Sequence, residues 1–300
     1  MRDIELTGPV DLVRSMSVFR RGHGDPTYQV VGTDHWRATR LSTGPVTFCF
    51  RQAAPADRAQ VDAWGPGAEE FLDSFAHWFP EDGFAAAALP HPVVSDAQRR
   101  FAGLRTPRTL RVLEALIAAI IEQKVVGRDA FAAWRRLVRR HGEAAPGPTP
   151  LPLHIPPTAE TWASLPSWAW HQAGVDPRRY RTAQAAARVG DRLDSIAAGQ
   201  GLDAIYRAMR SLPGVGAWTA AEVGARALGD ADAVSWGDYH LANTVGVGLT
   251  GERVTEDAVP ELLEPFRPYR GRVVRLLELT PLVRHERRGP RLSRVDHRRI

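Results

Sequence analysis

Leu212-Pro213-Gly214-Val215-Gly216-Ala217-Trp218-Thr219-Ala220 stands between two stretches of helical character, Leu202 to Leu212 and Ala217 to Leu228. Gly214 and Gly216 both offer the positive φ that a tight hairpin uses, and they leave neighbouring N–H groups uncovered by side chains. The second helix starts directly afterwards, so its unpaired N–H groups and its dipole face the same spot. Such a corner suits an anion, for example a phosphate oxygen. A plain connection between two helices would read the same way, so the turn alone does not decide. The candidate contacts in it are Gly214, Val215, Gly216, Ala217 and Thr219.

Asp238 lies 24 residues after Gly214, in Ser235-Trp236-Gly237-Asp238-Tyr239-His240. A helix is predicted from Tyr239 to Val247. Ser235 and Asp238 have the spacing of a capping box, with Asp in place of the usual Glu. The same place at a helix N-terminus also keeps a carboxylate ionised and fixed in direction. A group that opposes developing positive charge needs both properties.

Upstream, Leu110, Leu113, Leu116, Ile117, Ile120 and Ile121 cover most of a helix surface, which predicts a central, buried helix. The next helix places Phe131, Trp134, Leu137 and Val138 on one face. Residues 144–157 read as a proline-rich loop. Shorter helices are predicted over 158–173, 178–198, 256–263 and 269–279. The first ninety-odd residues differ. Val46, Phe48 and Phe50 alternate with Thr47, Cys49 and Arg51, which is strand period. Residues 28–31, 35–41 and 59–64 have β character too, with a turn at Gly32-Thr33-Asp34, and a helix is predicted over 68–79. The fold class is therefore α+β. An N-terminal antiparallel β-rich domain (1–95) precedes an all-α core (96–283), followed by a basic tail (284–300).

Composition narrows the function classes. The 300 residues are 44% apolar and 24% charged, which is ordinary globular usage and excludes wholesale disorder. No run of about 18 apolar residues marks a spanning helix. Met1-Arg2-Asp3-Ile4-Glu5 lacks an apolar signal core, so the expected location is cytoplasmic, away from any membrane. A single cysteine, Cys49, excludes an intramolecular disulfide, a Cys-rich zinc site and a cysteine-ligated iron–sulfur cluster. The net charge of +5 is carried almost wholly by arginine, with Lys124 the only lysine. Arginine suits phosphate through its planar fork, although a composition bias of the genome would give the same count. Gly246-Val247-Gly248-Leu249-Thr250-Gly251 matches a dinucleotide fingerprint but ends a helix instead of following a strand. The ten histidines have no metal-site spacing, so no metal is expected.

Leu-Pro-Gly-Val-Gly, the helix after it and an aspartate at this distance resemble the helix–hairpin–helix DNA glycosylases, most closely the 3-methyladenine DNA glycosylase II group. Glu122-Gln123-Lys124-Val125 resembles a glutamine-containing turn of that group. Gly174-Val175-Asp176-Pro177-Arg178-Arg179 resembles its G-x-x-x-[KR] junction, and Pro265-Phe266-Arg267-Pro268-Tyr269-Arg270 its C-terminal helix entry. The resemblance runs from about Arg108 to Leu279. It implies a base-excision repair enzyme that flips a damaged nucleotide out of double-stranded DNA and hydrolyses its N-glycosidic bond. Alkylated bases of the 3-methyladenine and 7-methylguanine type are the implied substrates. Deaminated or etheno bases, or a non-catalytic damage-binding role, are the alternatives.

Carried onto this chain, the resemblance makes Asp238 the catalytic carboxylate, opposite an oxocarbenium-like sugar. Trp218 stands where strand-nicking relatives carry a lysine, which implies a monofunctional enzyme. Gln123 and Lys124 fall where the family fills the gap left by the flipped base; Lys124 could instead hold a phosphate, with Gln123 or Val125 as the plug. The candidate base pocket is Trp218, Glu222, Trp236 and Tyr239, with Trp168 and Trp170 further off. Glu222 and Glu278 depart from the aromatic residues of the best-known members. Glu222 could pair with a cationic base, accept from a base amino group, or face water. The expected protein is a monomer without an organic cofactor, and a monovalent cation at the hairpin carbonyls is possible by family analogy.

Overall fold

The computed structural model describes residues 2–54 and 56–281. Its N-terminal part is a five-stranded antiparallel sheet of β1 (Arg2–Glu5), β2 (Tyr28–Val31), β3 (Asp34–Leu41), β4 (Gly44–Gln52) and β5 (Arg58–Trp64), in the order β1-β5-β4-β3-β2. Val46, Phe48 and Phe50 of β4 are fully buried. They pack with α1 (Leu12–Met16) and α2 (Ala68–Ser74), where Phe48 stacks on Phe71 with ring centroids 4.0 Å apart. The tight turn at Gly32 forms with φ of 62°, as its glycine suggests. Strand β1 carries no apolar alternation and was not foreseen; backbone pairing of Arg2–Glu5 with Arg58–Val61 holds it at the sheet edge.

The alternation of β4 predicts one wet face, and here the structure differs. Thr47 and Cys49 are also buried. The proline-rich stretch folds back over that face, tied by the short pair β6 (Glu143–Ala144) and β7 (His154–Ile155). Leu153 and Ile155 join Trp36, Ala38 and Cys49 in a small second core. A loop read by its prolines alone is thus a cover for the sheet.

The helices are α3 (Pro92–Arg100), α4 (Val112–Glu122), α5 (Gly127–His141), α6 (Ala159–Ser164), α7 (Ser167–Ala173), α8 (Pro177–Arg188), α9 (Gly190–Gly199), α10 (Leu202–Arg210), α11 (Ala217–Val223), α12 (Leu241–Thr250), α13 (Val259–Leu263) and α14 (Arg270–Leu279). Helix α4 is the predicted central helix, buried from Ala115 to Ile121. Two predicted helices are split. Pro166 separates α6 from α7. Val189 separates α8 from α9, whose first residue, Gly190, packs so close to α4 that a Cβ would lie 2.5 Å from Leu113 Cδ2. Helix α11 continues through Gly224–Leu228 as a π-helical turn. A separate core joins Phe84, Val94 and Leu104 to Leu241, Val245, Val273 and Leu276 of α12 and α14.

Buried ion pairs key the sheet to the central helix. Arg37 of β3, 1% exposed, donates to Glu114 of α4 at 2.6 Å, and Arg21 lies 3.3 Å from Glu122. Removing one partner of such a pair strands a buried charge, at a cost of about 3–5 kcal/mol. The two pairs tie β3 and the segment before β2 to helix α4. Among the described residues no helix is long and apolar enough to cross a membrane. The basic segment 284–300 lies outside the described residues.

Candidate active site

The hairpin forms between α10 and α11. Gly214 has φ of 89°, and a Cβ there would sit 2.3 Å from Thr182 Oγ1. Only glycine satisfies both the backbone and the space. The Thr182 hydroxyl donates to Pro213 O at 3.0 Å, so α8 supports the turn from below. Gly216 differs from expectation. Its φ of −98° and ψ of −171° are extended backbone, and a Cβ there would meet open space. Its lack of a side chain matters only to something approaching from outside.

Gly214, Gly216 and Ala217 are exposed, whereas Val215 and Thr219 are buried. The Val215 side chain joins the helical core, and its N–H donates to Leu212 O at 3.0 Å. Val215 and Thr219, expected as contacts, support the hairpin from inside. Gln123, expected near the gap, is likewise turned inward. Its Nε2 donates to Gly214 O at 2.9 Å and to Thr219 Oγ1 at 2.8 Å. Gln123 braces the turn between α4 and α5 against the hairpin. Val125 is half-buried and packs on the helical core. Lys124 is exposed and left-handed, with φ of 53°, and Val126 beside it is 43% exposed. A left-handed non-glycine residue is strained by about 1–3 kcal/mol and clusters at functional sites. Replacing Gln123 with Ala should lower affinity for any duplex several-fold, since each lost bond is worth roughly 0.5–1.5 kcal/mol. Anisotropy titration with matched and abasic duplexes checks this; a change in lesion ranking would contradict the bracing role.

The carbonyls of Leu212, Pro213 and Gly214 each accept a protein hydrogen bond. A cation at the hairpin would share these oxygens with their donors. Among the described residues no cluster of His, Cys, Asp or Glu is arranged for a metal.

Asp238 is brought to the hairpin by Trp218. The indole Nε1 donates to Asp238 Oδ2 at 3.2 Å, and the His240 N–H donates to Oδ1 at 2.8 Å. Helix α12 starts only at Leu241, so Asp238 lies in the turn before it. The capping box does not form, because the Ser235 hydroxyl donates to Glu222 Oε1 at 2.5 Å. The carboxylate is thus half-buried and aimed by two N–H groups. This is the geometry of a fixed negative charge beside an exposed, glycine-rich backbone corner.

The other pocket candidates separate. Glu222 is not solvated: its Oε2 accepts from Arg226 Nη1 at 2.5 Å. Burial disfavours the charged Arg226, but Glu222, Glu122 and Glu278 outweigh it and raise its pKa. Trp236 is half-buried on the C-terminal core, with Arg270 5.9 Å from its ring centre. Tyr239 is 62% exposed, on the surface beside Asp238. Trp170 is fully buried and stacks on Trp162, while Trp168 is exposed near Arg140. Glu278 pairs with Arg275 at 3.0 Å.

The architecture matches solved proteins over nearly its whole length. A 3-methyladenine DNA glycosylase from Archaeoglobus fulgidus covers 93% of this chain and 97% of its own, with a TM-score of 0.76 and 20% identity. The chain has the helix–hairpin–helix DNA glycosylase fold. An 8-oxoguanine glycosylase/lyase from Clostridium acetobutylicum, in complex with double-stranded DNA, covers 89% of this chain and 90% of its own, with a TM-score of 0.68 and 12% identity. By sequence, the chain is 30% identical over 169 residues to a probable bifunctional transcriptional activator/DNA repair enzyme AlkA of Mycobacterium tuberculosis. That stretch is 56% of this chain and 34% of the relative, so the chain spans about a third of the relative's length. No family model matches the sequence.

Thr182 and Arg226, which contact Pro213 and Glu222, and the Ser235 contact with Glu222 were not read from the sequence. One signal was available for Arg226. Trp218, Glu222 and Arg226 follow at four-residue intervals, which is one helix face.

Proposed function

We propose that this chain is a monofunctional DNA glycosylase that removes a damaged base from double-stranded DNA, with alkylated purines as substrates. The observation that carries the reading is the Asp238 carboxylate, aimed by Trp218 beside the exposed hairpin. The hairpin backbone holds a phosphate of the damaged strand, and the nucleotide turns out toward Asp238. The C1′–N bond breaks, and the base leaves with the bonding pair. Asp238 opposes the positive charge that develops on the sugar and orients a water. The water oxygen bonds to C1′ and releases one proton to solvent, because a cationic alkylated purine becomes neutral as it leaves with the bonding pair; a neutral lesion would take up that proton instead. The products are a free base and an abasic site.

The glycosylase/lyase among the similar folds raises the question of strand cleavage. Trp218 has no nucleophilic amine, and the single lysine, Lys124, sits in the turn between α4 and α5. Lesion-containing duplex should therefore be cut only after alkali treatment. A gel run with and without alkali tests this, together with borohydride trapping. A trapped adduct would overturn the monofunctional reading and direct attention to Lys124.

The Arg226–Glu222 pair favours a second substrate reading, deaminated bases. A carboxylate neutralised by a guanidinium discriminates weakly in favour of cationic bases over neutral ones.

A further inference from the structure

Glu222 is held from three directions. Along its own helix, Arg226 Nη1 donates to its Oε2 at 2.5 Å and to its backbone carbonyl at 3.2 Å. From the N-terminal domain, Val18 O accepts from Arg226 Nε at 3.2 Å and fixes the guanidinium. From the loop that carries Asp238, the Ser235 hydroxyl donates to Oε1 at 2.5 Å. Arg226 belongs to the π-helical turn Gly224–Leu228, a rare conformation frequent at functional sites. The Glu222 side chain is 14% exposed, one helical turn beyond Trp218, which touches Asp238. A carboxylate offers about four acceptor positions. One is taken by Arg226 and one by Ser235, so acceptor capacity remains on a carboxylate fixed to the loop that carries Asp238.

Resting on the glycosylase reading above, we infer that Glu222 reads the flipped base by accepting its N–H groups, so that damaged purines keeping an N–H donor are substrates and purines whose donors are bridged away are rejected. Arg226 is the positioning residue: it offsets the charge of Glu222 and fixes its direction. A base with a donor completes the hydrogen bonds of the buried carboxylate. A base without one strips water from that carboxylate and returns nothing. The positive charge of an alkylated base adds little, because the neighbouring guanidinium already cancels the carboxylate. Hypoxanthine and 7-methylguanine both present an N–H on the pairing edge. In 1,N6-ethenoadenine the bridge removes it.

The test is single-turnover base release by the whole chain from duplexes carrying one of these three bases. The wild type should release ethenoadenine at least about 10-fold more slowly than hypoxanthine, the lower end of the value of a hydrogen bond to a charged group. Glu222→Gln should slow hypoxanthine and 7-methylguanine alike, by about 10- to 150-fold, and narrow their lead over ethenoadenine. Its affinity for abasic duplex should stay within about twofold, since no base is read there. Should Glu222→Gln fail to fold with Arg226 left unpaired, the double variant Glu222→Gln, Arg226→Gln removes both charges together and is expected to narrow the same lead. Wild-type release of ethenoadenine as fast as hypoxanthine would overturn the inference alone. So would folded variants with the wild-type ratios, or a loss confined to 7-methylguanine, which would make Glu222 a reader of charge. Release of none of the three bases, with abasic duplex still bound, would overturn the glycosylase reading and this inference with it.

Discussion

Asp238→Asn is expected to lower base release by about 100-fold or more, the size of effect seen when one preorganised electrostatic stabiliser is removed. The amide keeps the shape of the side chain, and its oxygen can still accept from Trp218 Nε1 or the His240 N–H. What it loses is the charge proposed to oppose the sugar cation. Binding of abasic duplex should be largely preserved, because the hairpin contacts do not pass through residue 238. Single-turnover release, abasic-duplex affinity and the thermal melt are measured on the same preparation. Near-normal release by a folded variant would leave Asp238 as a turn residue that only receives the His240 N–H.

Gly214→Val is expected to weaken binding to damaged and undamaged duplexes together, by about 10-fold or more, without reordering lesions. The positive φ alone costs a non-glycine residue about 1–3 kcal/mol. The new Cβ would also displace the Thr182 hydroxyl, 2.3 Å away, from its bond to Pro213. Gly216→Ala is the matched control. Its φ of −98° suits any residue and its surroundings are open, so the melt should not change. Lost DNA affinity in that folded variant would report direct approach of the DNA backbone to the hairpin. Wild-type affinity should fall steeply with salt as counterions are released from the duplex. Unchanged affinity of Gly214→Val would remove the hairpin from the DNA interface.

The parts of the fold that sequence made legible are those set by local patterning. Five of the six apolar positions, Leu113 to Ile121, lie in α4, which is central as their pattern predicts, whereas Leu110 precedes the helix with φ of 58°. The strand period of Val46, Phe48 and Phe50 gave the inner face of β4. It could not report the other face, because the cover over Thr47 and Cys49 comes from residues about a hundred positions later. Glycine spacing marked the hairpin but assigned positive φ to Gly216 as well as Gly214. The backbone separates them, with φ of 89° at Gly214 and −98° at Gly216, and Thr182 leaves no room for a Cβ at Gly214 alone. In the site, Asp238 stood out by its distance from the hairpin. Its partner was hidden, since Trp218 looks like a pocket wall until the indole N–H is seen on the carboxylate. Ser235 and Asp238 have capping-box spacing, yet Glu222 claims the serine hydroxyl from another helix. Local spacing cannot anticipate a tertiary competitor of that kind.

Asp238 as the charge that drives base departure, with the hairpin as its DNA anchor, is the centre of this account. The most direct measurement is mass-spectrometric detection of free base when the chain meets duplexes carrying a single alkylated or deaminated purine. One free base is expected for each alkali-labile site formed, and none from the Asp238→Asn variant. Tight binding to damaged or abasic duplex with no base released from any lesion would contradict it, and would make the chain a damage-binding protein without turnover.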